Sequence, residues 1–588
     1  MKTRFKLLSL LWLSAVVITI SSCTSQSSAK EKNIDVFDLD ILNDGGDRDA
    51  IKVGQIKALF KEDQGYIPYV SLKQYASLFA PHFDSSIDSS VTKRNNLITW
   101  TVSNEDGMFF ITQIDTSAER ILYGGSLEPS FKQGDDPVDT AALIYAANTT
   151  YDGDYLGQSP YATCSYKDLG IETIDYKGDV YFPLSLFDTT FSFDAGIYFF
   201  YNYHGIYSTH NVDDYYLKTF KANGKTYTVN KEMASLTTDD VMPNYLKEYN
   251  ANMFMYLLDN FYGLKGYKGI KTAKEYCQQI GTYDALFDND NQKRVQAYAN
   301  TLAKLDDNHT ALVAGSEAWG EQAFERRKYG QGCIDRSNLM SSLTNLRKSC
   351  MDSSYYEANN EPVFSSDGKT AMFFFDSFVY GTSEQVFNND GSIKDTAHLY
   401  DSFFSLLKLF KDLQAKGGVE NVILDMSTNG GGVLGVLMKL LALISKDNVG
   451  SLYYYEAASK QVGIATTQID VDGNGIYNSI DCFGDDFNIY LLTSDCSFSC
   501  GNAFPCLAKR SGAAKIIGQK SGGGECAVGI HYLPNGEYVY HSSNLHIGYF
   551  DARSRVFTGF EDGAEPDIKI DNYNDFYNID RLASYFSA

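Results

Sequence analysis

Five patterns of apolar and polar positions follow one another along the chain, and each predicts a different kind of structure. Behind the cations Lys2, Arg4 and Lys6 runs an uninterrupted apolar stretch from Leu7 to Ile20. At about 14 residues it is shorter than a membrane span and has the length of a secretory leader core. A segment rich in Ser, Lys and Asp follows to about residue 48, the composition of a tether. From 49 to 215, short alternating runs dense in Tyr, Phe, Thr and Gly predict a mostly β domain. Two of its segments read as distant copies, Gly65-Tyr66-Ile67-Pro68-Tyr69-Val70-Ser71-Leu72 and Asp179-Val180-Tyr181-Phe182-Pro183-Leu184-Ser185-Leu186.

From 216 to 312 the spacing becomes helical. Val295, Tyr298, Leu302 and Leu305 lie on one helix face. The pattern stops at Asp306-Asp307-Asn308, which leaves His309-Thr310 just beyond a helix end, where a side chain can be presented into a cleft. Residues 313–360 predict a connecting helical segment around Leu339 to Leu346, too short for a full peptide-binding PDZ module. From 361 to 588 apolar strands alternate with helices. Thr370 to Phe375, Val422 to Leu424, Ile489 to Leu492 and Lys515 to Ile517 read as buried strands. Between them, Phe403, Phe404, Leu406, Leu407, Phe410 and Leu413 mark one helix ended by Gly417-Gly418. Leu434 to Ile444 and Ala503 to Lys509 mark two more. The fold class is an α/β core with a mixed sheet, preceded by a helical subdomain and the mostly β domain.

Composition narrows the function. The formal charge of −24 opposes nucleic acid, which needs basic stripes. The small residues before Cys23 resemble a bacterial lipobox, in which residues 1–22 are removed and Cys23 is lipidated; the tether is then 23–48. That implies an extracytoplasmic, membrane-anchored lipoprotein. Nine further cysteines lack zinc-site spacing and read as small buried thiols, with one or two disulfides left open. Asp470, Asp472, Asn474-Gly475 and Asp481 approximate a calcium loop, but Asn-Gly between short apolar runs favours a hairpin. No cofactor or metal is expected.

Three loops sit where a strand gives way to a helix or turn. Asp425 to Gly432 ends in three glycines, which let backbone N–H groups face a cleft. It lacks the Gly-Lys-Ser/Thr ending of a P-loop. Thr493 to Asn502 places Ser499 before a helix, as a cap or as an activated nucleophile. Gly518 to Gly524 is a glycine turn that suits the wall of a groove.

Together with Leu305-Asp306-Asp307-Asn308-His309-Thr310 and Gly563-Ala564-Glu565-Pro566-Asp567, their order resembles the tail-specific or C-terminal-processing serine peptidases and the related tricorn core protease. The resemblance covers residues 230 to 588 and implies a crotonase- or ClpP-like core, with protein or peptide substrates and possible homo-oligomers. It implies Ser499 as nucleophile, with the backbone N–H groups of Gly431 and Cys500 as the oxyanion hole. Three positions depart from the pattern: Ser427 stands where an arginine is usual, Asn502 where a glutamate is usual, and Gly524 where the tail-specific branch has its lysine base. The tricorn-like branch uses a histidine and a glutamate instead. His309 fits the first, and Glu561, one residue from the family position at Phe560, is taken for the second. Lys520 in the glycine turn is the alternative base. The paired copies in the β domain resemble the small repeat named after the N-terminal domain of copper amine oxidases, with no copper implied. A catalytically inactive peptide-binding or scaffolding lipoprotein of the same fold, and a thioester hydrolase on the crotonase-like fold, are the other readings.

Overall fold

The computed structural model describes residues 34–43, 51–125, 127, 148–156, 161–209, 220–222, 225–227, 241–314, 319, 329–350 and 361–586. The leader and Cys23 lie outside them. In the last third, Val363–Phe364, Thr370–Phe374, Asn421–Asp425, Asn488–Thr493, Lys515–Gly518 and Ile568–Lys569 form one sheet in that order, with parallel pairing from the second strand on. Every residue of Thr370–Phe374 is buried, as expected for a strand covered on both faces. The helix predicted after it runs Ser402–Lys416. The Asp401 carboxylate accepts from the N–H groups of Phe403 and Phe404, and Gly417 at φ 70° ends it. The six apolar residues singled out by spacing are all buried, with Leu409 beside them.

A second sheet carries the other wall of the site. Its long strand Tyr538–Asp551 pairs with Ala311–Ala314, Cys526–Tyr532, Gly450–Glu456 and Val556–Gly559. Here the sequence reading of residues 466–480 needs correction. The hairpin joins Gly450–Glu456 to Gln461–Gln468, and strand pairing ends at Gln468. Residues 470–481 form a loop in which the Asp470 carboxylate accepts from the N–H groups of Gly473, Asn474 and Gly475.

The tether boundary also moves. Ile34–Asn43 is a strand inside the N-terminal sheet, paired antiparallel with Ile51–Lys61 and parallel with Ile206–Thr209. The two repeat copies meet in that sheet: Tyr181, Phe182 and Pro183 lie opposite Ser71, Val70 and Tyr69. Each copy continues into a helix, Leu72–Phe79 and Leu184–Ala195. The N-terminal region is not closed on itself either, because Asn148–Tyr155 adds an edge strand to Gln461–Gln468 of the second sheet. The segment 216–312 holds the predicted helices, among them Asn291–Lys304, and a short hairpin of Phe220–Ala222 with Lys225–Tyr227. Residues 331–350 form one 20-residue helix, Gln331–Cys350. None of the nine described cysteines is disulfide-bonded.

Candidate active site

The loops at the carboxyl ends of the parallel strands converge on Ser499. It leads into helix Cys500–Ser511 at φ 57° and ψ −125°, a conformation sparsely populated by side-chain-bearing residues and held here by its surroundings. Ser499 N–H donates to Gly523 O at 2.9 Å, and Gly522 N–H to Ser497 O at 2.8 Å, which ties the serine loop to the glycine turn. Ser497 Oγ donates to Met426 O at 2.7 Å, and Phe498 N–H to Asn429 O at 3.0 Å, which ties it to the three-glycine loop. A Cβ on Gly431 would stand 2.7 Å from Ser499 Cβ, so only glycine allows this approach.

The two proposed oxyanion donors differ. Cys500 N–H, at the helix start, has no hydrogen-bond partner among the described residues. Gly431 N–H is not free: it donates to Asn429 Oδ1 at 2.8 Å, because the asparagine side chain folds back over its own turn.

His309 packs against Phe498, the residue before the serine. Its imidazole lies 4.7 Å from the Phe498 ring, centroid to centroid, and only 8% of the residue is exposed. Asp307 shapes the segment: its carboxylate accepts from His309 N–H at 3.0 Å and from Thr310 Oγ1 at 2.6 Å. Thr310 Oγ1 in turn accepts from Ser542 N–H at 3.1 Å, which fixes the segment to the second sheet. Burial lowers the His309 pKa below the usual histidine value; the Asp307 charge works against this and the Arg336 charge adds to it. His309 Nδ1 is buried without a hydrogen-bond partner.

Glu561 sits across the glycine turn. Its Oε2 accepts from Gly524 N–H at 3.1 Å and Glu525 N–H at 3.0 Å, while its own N–H donates to Glu525 Oε2 at 2.8 Å. Burial raises its pKa; the amide hydrogen bond from Glu525 opposes that, and the Asp307 and Glu525 charges add to it. The neighbouring Phe560, at the family position, instead packs against the core, and its carbonyl accepts from Asn502 Nδ2 at 2.9 Å. Asn502 also accepts from Ser521 Oγ at 2.7 Å, so it braces the helix that follows Ser499.

Lys520 is 3.3 Å from Glu565 with about half of its side chain exposed. Gly524 shows why no lysine occupies that place: a Cβ there would fall 2.5 Å from Phe498 Cζ. Phe498 therefore occupies the space beside Gly524 while supporting the histidine. Sequence reasoning missed this role, and it missed Arg336. From helix Gln331–Cys350, Arg336 donates through Nε to Asp495 O at 2.9 Å and through Nη2 to Gly522 O at 2.9 Å, with its guanidinium 4.8 Å from the Phe498 ring centroid. Next to Glu561, Glu525 Oε1 pairs with His546 Nδ1 at 2.7 Å, with Cys526 Sγ 3.6 Å from that nitrogen.

No curated protein matches the chain. Among solved structures it is similar to a candidate peptidase from Parabacteroides merdae, at 15% identity over 55% of this chain and 89% of that one, TM-score 0.39. It is similar to the photosystem II D1 C-terminal processing protease at 15% identity over 36% and 45% of the two chains, TM-score 0.24. The tricorn protease aligns over 95% of this chain and 73% of its own at 9% identity, TM-score 0.33. The family statement rests on sequence: residues 397–570, which include Ser499 and Glu561 but not His309, match peptidase family S41. Over that span, under a third of the chain, the chain is similar to peptidase family S41.

Proposed function

We propose that the chain is an extracytoplasmic serine endopeptidase, anchored through a lipidated Cys23, that cleaves protein or peptide substrates through an acyl-enzyme on Ser499. The observation that carries the reading is the serine itself. It stands at positive φ at a helix start, pressed against Gly431, with the unpartnered Cys500 N–H next in sequence. The helix dipole and that amide favour negative charge where the carbonyl oxygen develops it.

Ser499 Oγ attacks the substrate carbonyl, and its proton passes to His309. The lowered histidine pKa keeps the ring neutral and able to accept that proton at pH 7. His309 then protonates the leaving amine, and water releases the acyl group by the reverse sequence. Asp307, whose charge acts on His309, favours the protonated imidazole, while Glu561 holds the glycine turn through the N–H groups of Gly524 and Glu525.

The inactive-scaffold reading has its own support. Gly431 N–H is occupied by Asn429, and no hydrogen bond joins Ser499 to His309 among the described residues. Catalytic hydrogen bonds often tighten only when substrate binds, which favours the peptidase. A fluorophosphonate or peptidyl diphenyl phosphonate separates the two: covalent labelling of the wild type, lost in Ser499→Ala, is expected. A wild type that neither labels nor cleaves a casein or mixed-peptide digest is the scaffold.

A further inference from the structure

The three-glycine loop grows from a buried charge. Asp425 ends strand Asn421–Asp425 and is fully buried, and Met426 to Gly432 follow it directly to the serine. A buried carboxylate needs a cation or several donors. Ser427 N–H donates to Asp425 Oδ1 at 2.9 Å, but Ser427 is too short and uncharged to balance it. Its hydroxyl lies 3.0 Å from Tyr577 OH instead.

The cation comes from another part of the chain. Arg347, on helix Gln331–Cys350 and outside the S41-matched residues, is 1% exposed, with Nε 3.5 Å from Asp425 Oδ2. Nη1 and Nη2 fork onto Asp376 at 2.8 and 2.9 Å, and Nη2 also donates to Thr428 Oγ1. Thr428 Oγ1 donates to the same Asp376 at 2.7 Å. The guanidinium lies over Phe374 at 4.6 Å and over Tyr577 at 5.7 Å. Asp376 and Asp425 follow or end adjacent parallel strands, so one planar group joins both strand ends to the catalytic loop.

We propose that Arg347 is a positioning residue, which ties Asp376 and Asp425 at two adjacent strand ends to Thr428 and sets the three-glycine loop against Ser499. The chain of contact is short: Arg347 holds Thr428, the next residue Asn429 takes the Gly431 N–H, and Gly431 abuts the serine. A displacement of about 1 Å at such a loop costs about 10²-fold in rate. The inference rests on the peptidase reading for its kinetic consequence and not for its geometry.

The test uses Arg347→Met, Arg347→Lys and the double variant Arg347→Met/Ser427→Arg, compared with wild type by phosphonate labelling of Ser499, kcat, KM and thermal midpoint. Arg347→Met is expected to lose about 10²-fold in kcat with KM changed less than about threefold. Because Tyr577 lies beside both positions, Ser427→Arg is expected to return at least about tenfold of that loss. A general destabilisation would not be relieved in this way. Arg347→Lys keeps the charge without the fork, and should fold yet lose about tenfold in kcat. The proposal is overturned if Arg347→Met or Arg347→Lys, folded by circular dichroism, turns over within about twofold of wild type. It is also overturned if the double variant folds and recovers nothing. Should the wild type itself fail to label, the peptidase reading falls and the positioning role is read from amide hydrogen exchange over 426–432: faster in Arg347→Met and restored in the double variant, or else refuted.

Discussion

Gly178 in the N-terminal half and the site glycines Gly431 and Gly524 serve opposite purposes. In the N-terminal half, Gly178 adopts φ 84° in the turn before Asp179–Pro183, and a Cβ there would meet nothing within 4 Å. In the catalytic half, Cβ atoms on Gly431 and Gly524 would strike Ser499 and Phe498 at 2.7 and 2.5 Å. The N-terminal half is held by side chains instead: Trp100 packs 5.2 Å from Phe110, 5.7 Å from Phe79 and 6.0 Å from Phe191, ring to ring. Packed rings tolerate small shifts of any one partner. Loops pressed backbone to backbone do not, and a reactive group needs that exactness.

The largest expected effect concerns the buried chemistry of the catalytic half. His309→Ala should lower kcat by about four to six orders of magnitude, whereas Lys520→Ala, losing one exposed ion pair, should stay within about twofold. Near-normal turnover by His309→Ala would move the base to another group. Gly431→Ala comes next, with about 10³-fold lost in labelling rate from the steric clash at the serine. Gly178→Ala bears only the cost of positive φ, about 1 kcal/mol in denaturant unfolding and no change in labelling. Equal effects from the two glycines would erase the contrast.

Trp100→Ala approaches the contrast from the other half. It removes a fully buried ring and a hydrogen bond from Nε1 to Ser89 Oγ of 2.9 Å, and should cost about 3–5 kcal/mol. If packing and chemistry are as separate as the glycines imply, molecules that remain folded label at the wild-type rate. A parallel fall in labelling would show one cooperative unit spanning both halves.

What the sequence made legible follows the same division. The buried strands of the catalytic sheet and helix Ser402–Lys416 stood out because continuous apolar runs and 3.6-residue spacing are local signals. The two repeat copies were visible for the same reason. Strand Ile34–Asn43 was hidden, since its exposed Val36 and Phe37 and interleaved aspartates read as part of a polar tether until Ile206–Thr209 pairs with it. The hairpin expected at Asn474-Gly475 failed because a turn dipeptide says nothing about whether strands flank it. In the site, the loops were legible by motif. Arg336 and Arg347 were not, because their helix buries only Cys333, Leu343 and Arg347 and shows no clear apolar stripe. Their partners lie 159 and 29 residues away, Asp495 for one and Asp376 for the other.

The smallest expected effect lies on the seam between the halves. His531 Nε2 faces Thr189 O at 2.9 Å, His531 Nδ1 faces His541 Nε2 at 2.9 Å, and His541 Nδ1 faces Ser542 O at 3.1 Å. Each contact needs one proton, and two neutral imidazoles carry only two. Burial nevertheless opposes a third: it lowers the His541 pKa to about 4 and, with the His541 charge adding to it, places His531 well below the usual value. Both histidines therefore take up protons more readily unfolded than folded, so stability is complete above the unfolded value near 6.5 and falls as pH drops toward 4. Between pH 7 and 5.5 this amounts to about 1 kcal/mol per histidine. Urea midpoints at the two pH values, for wild type and for His541→Gln, measure it. The variant should lose part of the acid sensitivity, because one buried imidazole is gone while the carbonyl of Ser542 retains a donor. Equal pH slopes in the two proteins would mean that the seam does not titrate and that acid acts on the molecule elsewhere.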